Sequence, residues 1–238
     1  MLDVTALRVE VFADGADRAG IETLALNPVI KGFTTNPTLM RASGVTDYEA
    51  FARDILPVIG DRPISFEVFA DDFDAMVRQG RRIATWGPQV FVKIPVTDTQ
   101  GRPSSQVLQT LSGEGIQLNV TAMTTPEQVE QVVACLDPGA QHFVSLFAGR
   151  VADTGRDPLP LVKRCLEILA PRPEVRLIWA SPRELLNVIQ ADDVGCHVIT
   201  VTHDLLKKLP LLGKDLDEYS LETVQMFHRD AVSAGFAL

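Results

Sequence analysis

The stretch Val90-Phe91-Val92-Lys93-Ile94-Pro95-Val96-Thr97 places a lysine inside an apolar, β-branched run. Such a run reads as a strand covered on both faces, as strands of parallel sheets are. An ammonium is costly to bury, so it is either paired with an acid or held partly neutral. A neutral amine in a dry pocket is a nucleophile toward a ketone carbon. The structural alternative is a lysine that reaches past the strand end to a surface carboxylate. The run alone leaves both readings open.

Working outward, short apolar strands alternate with helical segments along the whole chain. Leu7 to Ala13 reads as a strand and Ala16 to Ala25 as a helix. Ile30 to Thr34 is a second strand, followed by an amphipathic helix from Tyr48 to Ile59. Ile64 to Phe69 is a third, with a helix from Phe73 to Trp86. After Val90 to Ile94 come a helix from Ser104 to Leu111 and a fifth strand, Ile116 to Val120. Thr125 caps a helix running to Ala134, with Pro126 in its first turn. His142 to Phe147, Val175 to Ala180 and His197 to Val201 complete the strands. Their helices run from Leu159 to Leu169 and from Pro182 to Gln190, with further helices after the last strand. Eight such units predict a (β/α)8 barrel in a single domain over residues 1–238, with an extra C-terminal helix from Ser220 to Ala234. The alternative, a doubly wound open sheet, favours a glycine-rich first turn, which Asp14-Gly15-Ala16-Asp17 matches poorly.

Composition narrows the partners. The chain has 238 residues, 46% of them hydrophobic, and a net charge of -9. This balance argues against nucleic acid and anionic membrane surfaces. A local pair of arginines can still hold an anionic metabolite. No apolar run approaches the length of a membrane span, and the N-terminus lacks a basic-then-apolar signal pattern. Three cysteines, Cys135, Cys165 and Cys196, are odd in number and lack metal-ligand spacing, which predicts a cytoplasmic protein without structural disulfides or metal.

Barrel enzymes place their chemistry at the C-terminal ends of the strands. There the sequence puts Asp14, the run Thr34-Thr35-Asn36-Pro37, Glu67, Lys93, Asn119, Thr121, Ser145, Phe147, Arg150, Ser181 and Arg183. Each has a structural counterpart reading. Asp14 serves equally as a helix cap, and Asn36-Pro37 as turn chemistry. Asn119 and Thr121 could satisfy neighbouring backbone groups, and the arginines could be solvated. Glu67, inside the apolar run Ser65-Phe66-Glu67-Val68-Phe69, needs a partner, and Lys93 on the adjacent strand is available. The pair could be catalytic or only a structural ion pair. The four histidines are scattered.

These motifs carry a family resemblance. Lys31-Gly32-Phe33-Thr34-Thr35-Asn36-Pro37-Thr38-Leu39-Met40 resembles the transaldolase signature, and Val92-Lys93-Ile94-Pro95-Val96-Thr97 resembles the family's Schiff-base lysine strand. Asn119-Val120-Thr121, Ser145-Leu146-Phe147-Ala148-Gly149-Arg150 and Ala180-Ser181-Pro182-Arg183 match its later motifs in the same order. The resemblance spans nearly the whole chain and points to the short branch, which holds small transaldolases and fructose-6-phosphate aldolases. It implies a class I aldolase barrel with neither metal nor organic cofactor, acting on sugar phosphates and assembling as a homo-oligomer. It further implies that Lys93 forms the imine, that Glu67 and Thr121 hold a proton-shuttling water, and that Asp14 takes the C4 hydroxyl proton. Thr34, Asn36, Asn119 and Ser145 would contact the bound carbon chain, and Arg150, Ser181 and Arg183 the phosphate.

Within the branch, the aldolases hold their catalytic water with glutamine and tyrosine at the positions of Glu67 and Phe147, and tend to have lysine at that of Arg183. The residues here are the transaldolase set, so the resemblance implies transfer of a dihydroxyacetone unit. The alternatives are plain aldol cleavage, a specialised sugar, or a non-catalytic sugar-phosphate binder. Three departures from the family pattern bear on substrate range: Gly15 after Asp14, a longer segment from Asp98 to Ser105, and Pro182 in place of an apolar aromatic residue.

Overall fold

The computed structural model describes residues 6–235. Eight parallel strands close into a barrel in sequence order, with the last paired to the first. They are β1 (Glu10–Asp14), β2 (Ile30–Thr34), β3 (Ile64–Glu67), β4 (Val90–Pro95), β5 (Leu118–Met123), β6 (His142–Leu146), β7 (Val175–Trp179) and β8 (Val198–Thr202). The helices are α1 (Arg18–Ala25), α2 (Pro37–Ala42), α3 (Tyr48–Ile59), α4 (Phe73–Ala84), α5 (Ser105–Gly113) and α6 (Pro126–Val133). After these come α7 (Ala148–Asp153), α8 (Leu159–Leu169), α9 (Leu186–Asp193), α10 (His203–Leu206) and α11 (Leu216–Ala234). The fold is the expected (β/α)8 barrel with an added C-terminal helix.

Strand residues of one parity point outward into the layer between barrel and helices, where Ile64, Val92, Ile94, Val120, Val144, Leu177 and Ile199 are buried with the helices' apolar stripes. The other parity fills the barrel itself, where Phe12, Phe91, Phe143, Ile178 and Val198 form a separate apolar cluster. Helix starts are set locally. The side chains of Asp17, Asp47, Asp72 and Asp215 accept the third helical amide of α1, α3, α4 and α11, and Thr125 with Gln128 forms a capping box on α6.

Several element ends differ from the sequence expectation, each for a local reason. The first strand starts at Glu10, because the Arg8 and Val9 amides are taken by the Asp192 carboxylate, at 2.6 and 2.9 Å. The third ends at Glu67, and Phe69 is exposed with its amide on Gln79. The ninth helix starts at Leu186, not Pro182, since Asn187 Oδ1 accepts the Arg183 and Glu184 amides ahead of it. The tail helix starts at Leu216, after its cap Asp215 and four residues earlier than the expected Ser220. Short helices α2, α7 and α10 follow β2, β6 and β8 directly; four to six residues are too few to show a helical period in sequence. Among the described residues, no helix is long and apolar enough to cross a membrane.

Candidate active site

Register brings the polar strand ends into one cluster. Glu67 lies beside Lys93, Lys93 beside Asn119, Pro95 beside Thr121, and Asp14 between Thr34 and Thr202. The side chains of Asp14, Thr34, Asn36, Lys93, Thr121 and Ser145 line one cavity, together with Phe147, Arg150, Ser181, Arg183, Thr200 and Thr202. Two of the expected residues, Glu67 and Asn119, stand behind this lining, in contact with Lys93 and Ser145 respectively.

Lys93 is only 7% exposed, deep enough that its ammonium needs partners within the protein. It has two: Nζ donates to the Thr35 carbonyl at 2.9 Å and lies 3.1 Å from Glu67 Oε2. The expected lysine–acid pairing is therefore present, and it fixes the amine at the cavity wall. Thr121 Oγ1 is buried on the neighbouring strand and has no hydrogen-bond partner among the described residues. Buried hydroxyls are rarely left so, which marks this one as free to bind a water or substrate group.

Asp14 faces the same cavity. Thr34 Oγ1 donates to Asp14 Oδ1 at 2.7 Å and also contacts Thr200 Oγ1. Thr34 has one hydroxyl proton, so its bond to Asp14 requires Thr200 to be the donor in the second contact. The chain thus runs Thr200 to Thr34 to Asp14. Burial pushes the Asp14 carboxyl above its ordinary value, against the opposing pull of the Lys93 charge, the Thr34 hydrogen bond and His203. A carboxylate with raised affinity for a proton is a suitable base.

Asn36 does two jobs. Its Oδ1 accepts the Leu39 amide at 3.0 Å and caps α2, leaving the amide NH2 for the cavity. The turn and site readings of Asn36-Pro37 are therefore compatible. Below the cavity, Asn119 donates to Ser65 Oγ at 2.9 Å and accepts from Ser145 Oγ at 2.8 Å. Asn119 orients Ser145, and only Ser145 reaches the cavity.

The far wall carries the cations. Arg150 stacks over Phe147, 5.1 Å from the ring centroid, and has no ion-pair partner among the described residues. Arg183 is gripped by Asp153 through Nε at 2.8 Å and Nη2 at 2.5 Å, and its Nη1 donates to the Ser181 hydroxyl at 2.9 Å. That contact raises the Arg183 value and lowers that of Asp153. Ser181 adopts a left-handed backbone, φ 61°, that aims its carbonyl at α7. A Cβ on Gly149 would sit 1.6 Å from that carbonyl, so only glycine lets the two arginine-bearing segments meet.

Sequence reasoning missed Thr200, Thr202, Asp153, Ser65 and the Thr35 carbonyl. Thr200 and Thr202 alternate with Val201 at the inward parity of a strand, a signal of period two that was available. Asp153 lies one helical turn after Arg150, but its pairing with Arg183 is a long-range contact that spacing does not show. The departure at Gly15 has a physical counterpart: a Cβ there would meet His203 Nε2 at 2.5 Å. The histidine ring occupies the space that a side chain would need.

Comparison with known proteins gives the chain a family. Residues 11–238 match the family described as Transaldolase/Fructose-6-phosphate aldolase. A protein named probable transaldolase from Dehalococcoides mccartyi is 33% identical, over 84% of this chain and 90% of its own length. Probable transaldolase 2 of Listeria monocytogenes is 32% identical, over 89% and 94%. A probable transaldolase of Streptococcus pyogenes is 35% identical, over 84% and 90%. Among solved structures, dihydrodipicolinate synthase from Rhodopseudomonas palustris superposes with a TM-score of 0.57 at 14% identity, covering 84% of this chain and 71% of its own. A mandelate oxidase mutant gives 0.58 at 12%, covering 86% and 72%. These two likenesses concern the barrel alone. The chain belongs to the transaldolase/fructose-6-phosphate aldolase family.

Proposed function

We propose that the protein is a transaldolase. It moves a dihydroxyacetone unit from a ketose phosphate, sedoheptulose 7-phosphate or fructose 6-phosphate, to an aldose phosphate, glyceraldehyde 3-phosphate or erythrose 4-phosphate. The observation that carries this reading is the buried Lys93 amine, held by Glu67 and Thr35, facing a cavity with a base on one side and arginines on the other.

Proton transfer along the 3.1 Å contact to Glu67 frees the Lys93 amine, which attacks the C2 carbonyl of the ketose. The carbinolamine loses water with protons relayed by Glu67 and a water held at the Thr121 hydroxyl. In the resulting protonated imine, the nitrogen is an electron sink. Asp14 takes the C4 hydroxyl proton, the C3–C4 bond breaks, and its electron pair forms an enamine while the shortened aldose phosphate leaves. The enamine carbon then attacks the acceptor aldehyde, and Asp14 returns its proton to the new hydroxyl. Hydrolysis of the imine releases the product and restores Lys93. Arg150 and Arg183 hold the phosphate, since guanidinium matches its geometry and keeps its charge.

Phe147 favours transfer over plain cleavage. Its ring has no proton to give, and Arg150 covers one face, so the enamine waits for an aldehyde. For assembly, we place the contact between copies of this chain on α11. None of its residues is buried within one chain, and Leu221, Val224 and Phe227 are exposed. The free cysteines suit a cytoplasmic location. The test is a coupled assay on fructose 6-phosphate with and without erythrose 4-phosphate. Transfer requires the acceptor; turnover that is independent of it would assign the protein to aldol cleavage instead.

A further inference from the structure

The last residue of β3 lacks a strand partner on one side. Strands β2 and β3 pair only through Phe33–Ile64 and Thr34–Ser65, and the Thr35 amide adds one bond to the Ser65 carbonyl before the chain turns into α2. The backbone N–H and C=O of Glu67 are met instead by a side chain. Tyr48 Oη, from the first residue of α3, accepts the Glu67 N–H at 2.8 Å and donates to the Glu67 carbonyl at 3.0 Å. On the β4 side, the Val68 amide donates to the Lys93 carbonyl at 3.0 Å. The backbone that carries the Glu67 carboxylate is thus held from both sides.

The phenol is itself fixed. Its ring meets Phe66, Phe69 and Trp86 edge-on, at 5.8, 5.7 and 5.5 Å between centroids. Burial pushes the hydroxyl above its ordinary value, with the hydrogen bond to the Glu67 backbone opposing, so it stays protonated. Tyr48 therefore stands behind Glu67, one of the two groups that hold the amine.

We propose that Tyr48 is a positioning residue for imine formation, fixing the end of β3 so that the Glu67 carboxylate stays within proton-transfer distance of Lys93. This rests on the reading of Lys93 as the Schiff-base nucleophile. A phenol that only filled the aromatic cluster would matter for stability alone. Small displacements of a proton-transfer pair cost rate steeply, with a shift of about 1 Å capable of costing roughly a hundredfold.

The test compares wild type, Tyr48→Phe and Phe143→Leu. Tyr48→Phe keeps the ring and removes only the hydroxyl, whereas Phe143→Leu loosens the separate apolar cluster inside the barrel without touching the rings around Tyr48. Rates of adduct formation with fructose 6-phosphate and borohydride are followed by intact mass, alongside kcat, KM and thermal unfolding. The expected result is a trapping rate and kcat lowered about ten- to a hundredfold in Tyr48→Phe, with KM within about twofold because the phosphate contacts are untouched. Phe143→Leu keeps the wild-type rates even where its unfolding temperature falls as far. Equal trapping in wild type and Tyr48→Phe overturns the role of Tyr48 alone. Equal rate losses in both variants overturn it too, by assigning the effect to packing. Absence of any adduct on the wild-type protein overturns the Schiff-base reading and this inference with it.

Discussion

The two ends of the barrel interior are built from opposite materials. Toward the N-terminal end, Phe12, Phe91 and Phe143 close the barrel, with Phe12 edge-on to Phe143 at 5.6 Å and Phe91 tilted against it at 4.4 Å. Arg176 lies over Phe143 and pairs with Glu10 at 2.9 Å, tying β7 to β1 across the opening. Toward the C-terminal end, the same inward parity carries Asp14, Thr34, Lys93, Thr121, Ser145 and Thr200. The lower half is a packed plug and the upper half a polar cavity. The difference teaches that stability and chemistry are separated along one axis. The aromatic floor closes the barrel below the cavity, and burial above it raises the Asp14 value.

Substitutions at the two ends should therefore separate. The largest effect belongs to Lys93→Ala, which removes the nucleophile; turnover should fall by at least about 10⁴-fold while the barrel still unfolds cooperatively. Next is Asp14→Asn, which keeps an acceptor for Thr34 but cannot take a proton; kcat should fall by roughly 10²- to 10⁴-fold. The same variant carries a stability signature. A carboxyl raised on folding binds its proton more tightly in the native than in the unfolded chain. Its stabilising contribution is complete at low pH and is lost as pH climbs through the raised value. Above that window Asp14 destabilises the fold, so Asp14→Asn should unfold at the same or a higher temperature than wild type at neutral pH. The gap should close in acid.

At the cavity's far wall, Arg150 makes no ion pair among the described residues, whereas Arg183 is already paired with Asp153. Arg150→Ala should raise KM for the sugar phosphate by roughly ten- to a hundredfold, and Arg183→Ala by less, since Asp153 is in ion-pair contact with Arg183 and not with Arg150. A reversed order in steady-state kinetics would show that Asp153 releases Arg183 to the ligand. The smallest effect on turnover belongs to the floor. Phe143→Ala should cost about 3–5 kcal/mol in denaturant unfolding yet leave kcat within a few-fold for the molecules that remain folded. If kcat fell with Phe143 as steeply as with Asp14, the separation of the two ends would be lost.

The barrel was legible because its strands are covered on both faces. Runs such as Val90 to Ile94 and His142 to Leu146 stand out as apolar stretches, and their polar interruptions fall at the rim. Lys93 and Glu67 are readable as awkward placements that can pair across adjacent strands, whereas Asp14 reads equally as a helix cap. What escaped reading depends on contacts between distant segments. Thr200 and Thr202 pass for β-branched strand residues until Thr34 is seen beside them. Asp153 looks like a helix-end charge until Arg183 reaches it. Tyr48 reads as an ordinary helix residue, because nothing in its neighbourhood announces that Glu67 will lack a strand partner. Even Asn36 was half legible: its cap and its cavity-facing amide come from two ends of one side chain.

The central claim is that Lys93 is the covalent nucleophile of the upper half. Its most direct measurement is borohydride reduction in the presence of fructose 6-phosphate, followed by peptide mapping of the intact protein and of Lys93→Ala. The account predicts one reduced three-carbon adduct per chain, located on Lys93 and absent from Lys93→Ala. An adduct on another lysine, or none on wild type, would contradict it.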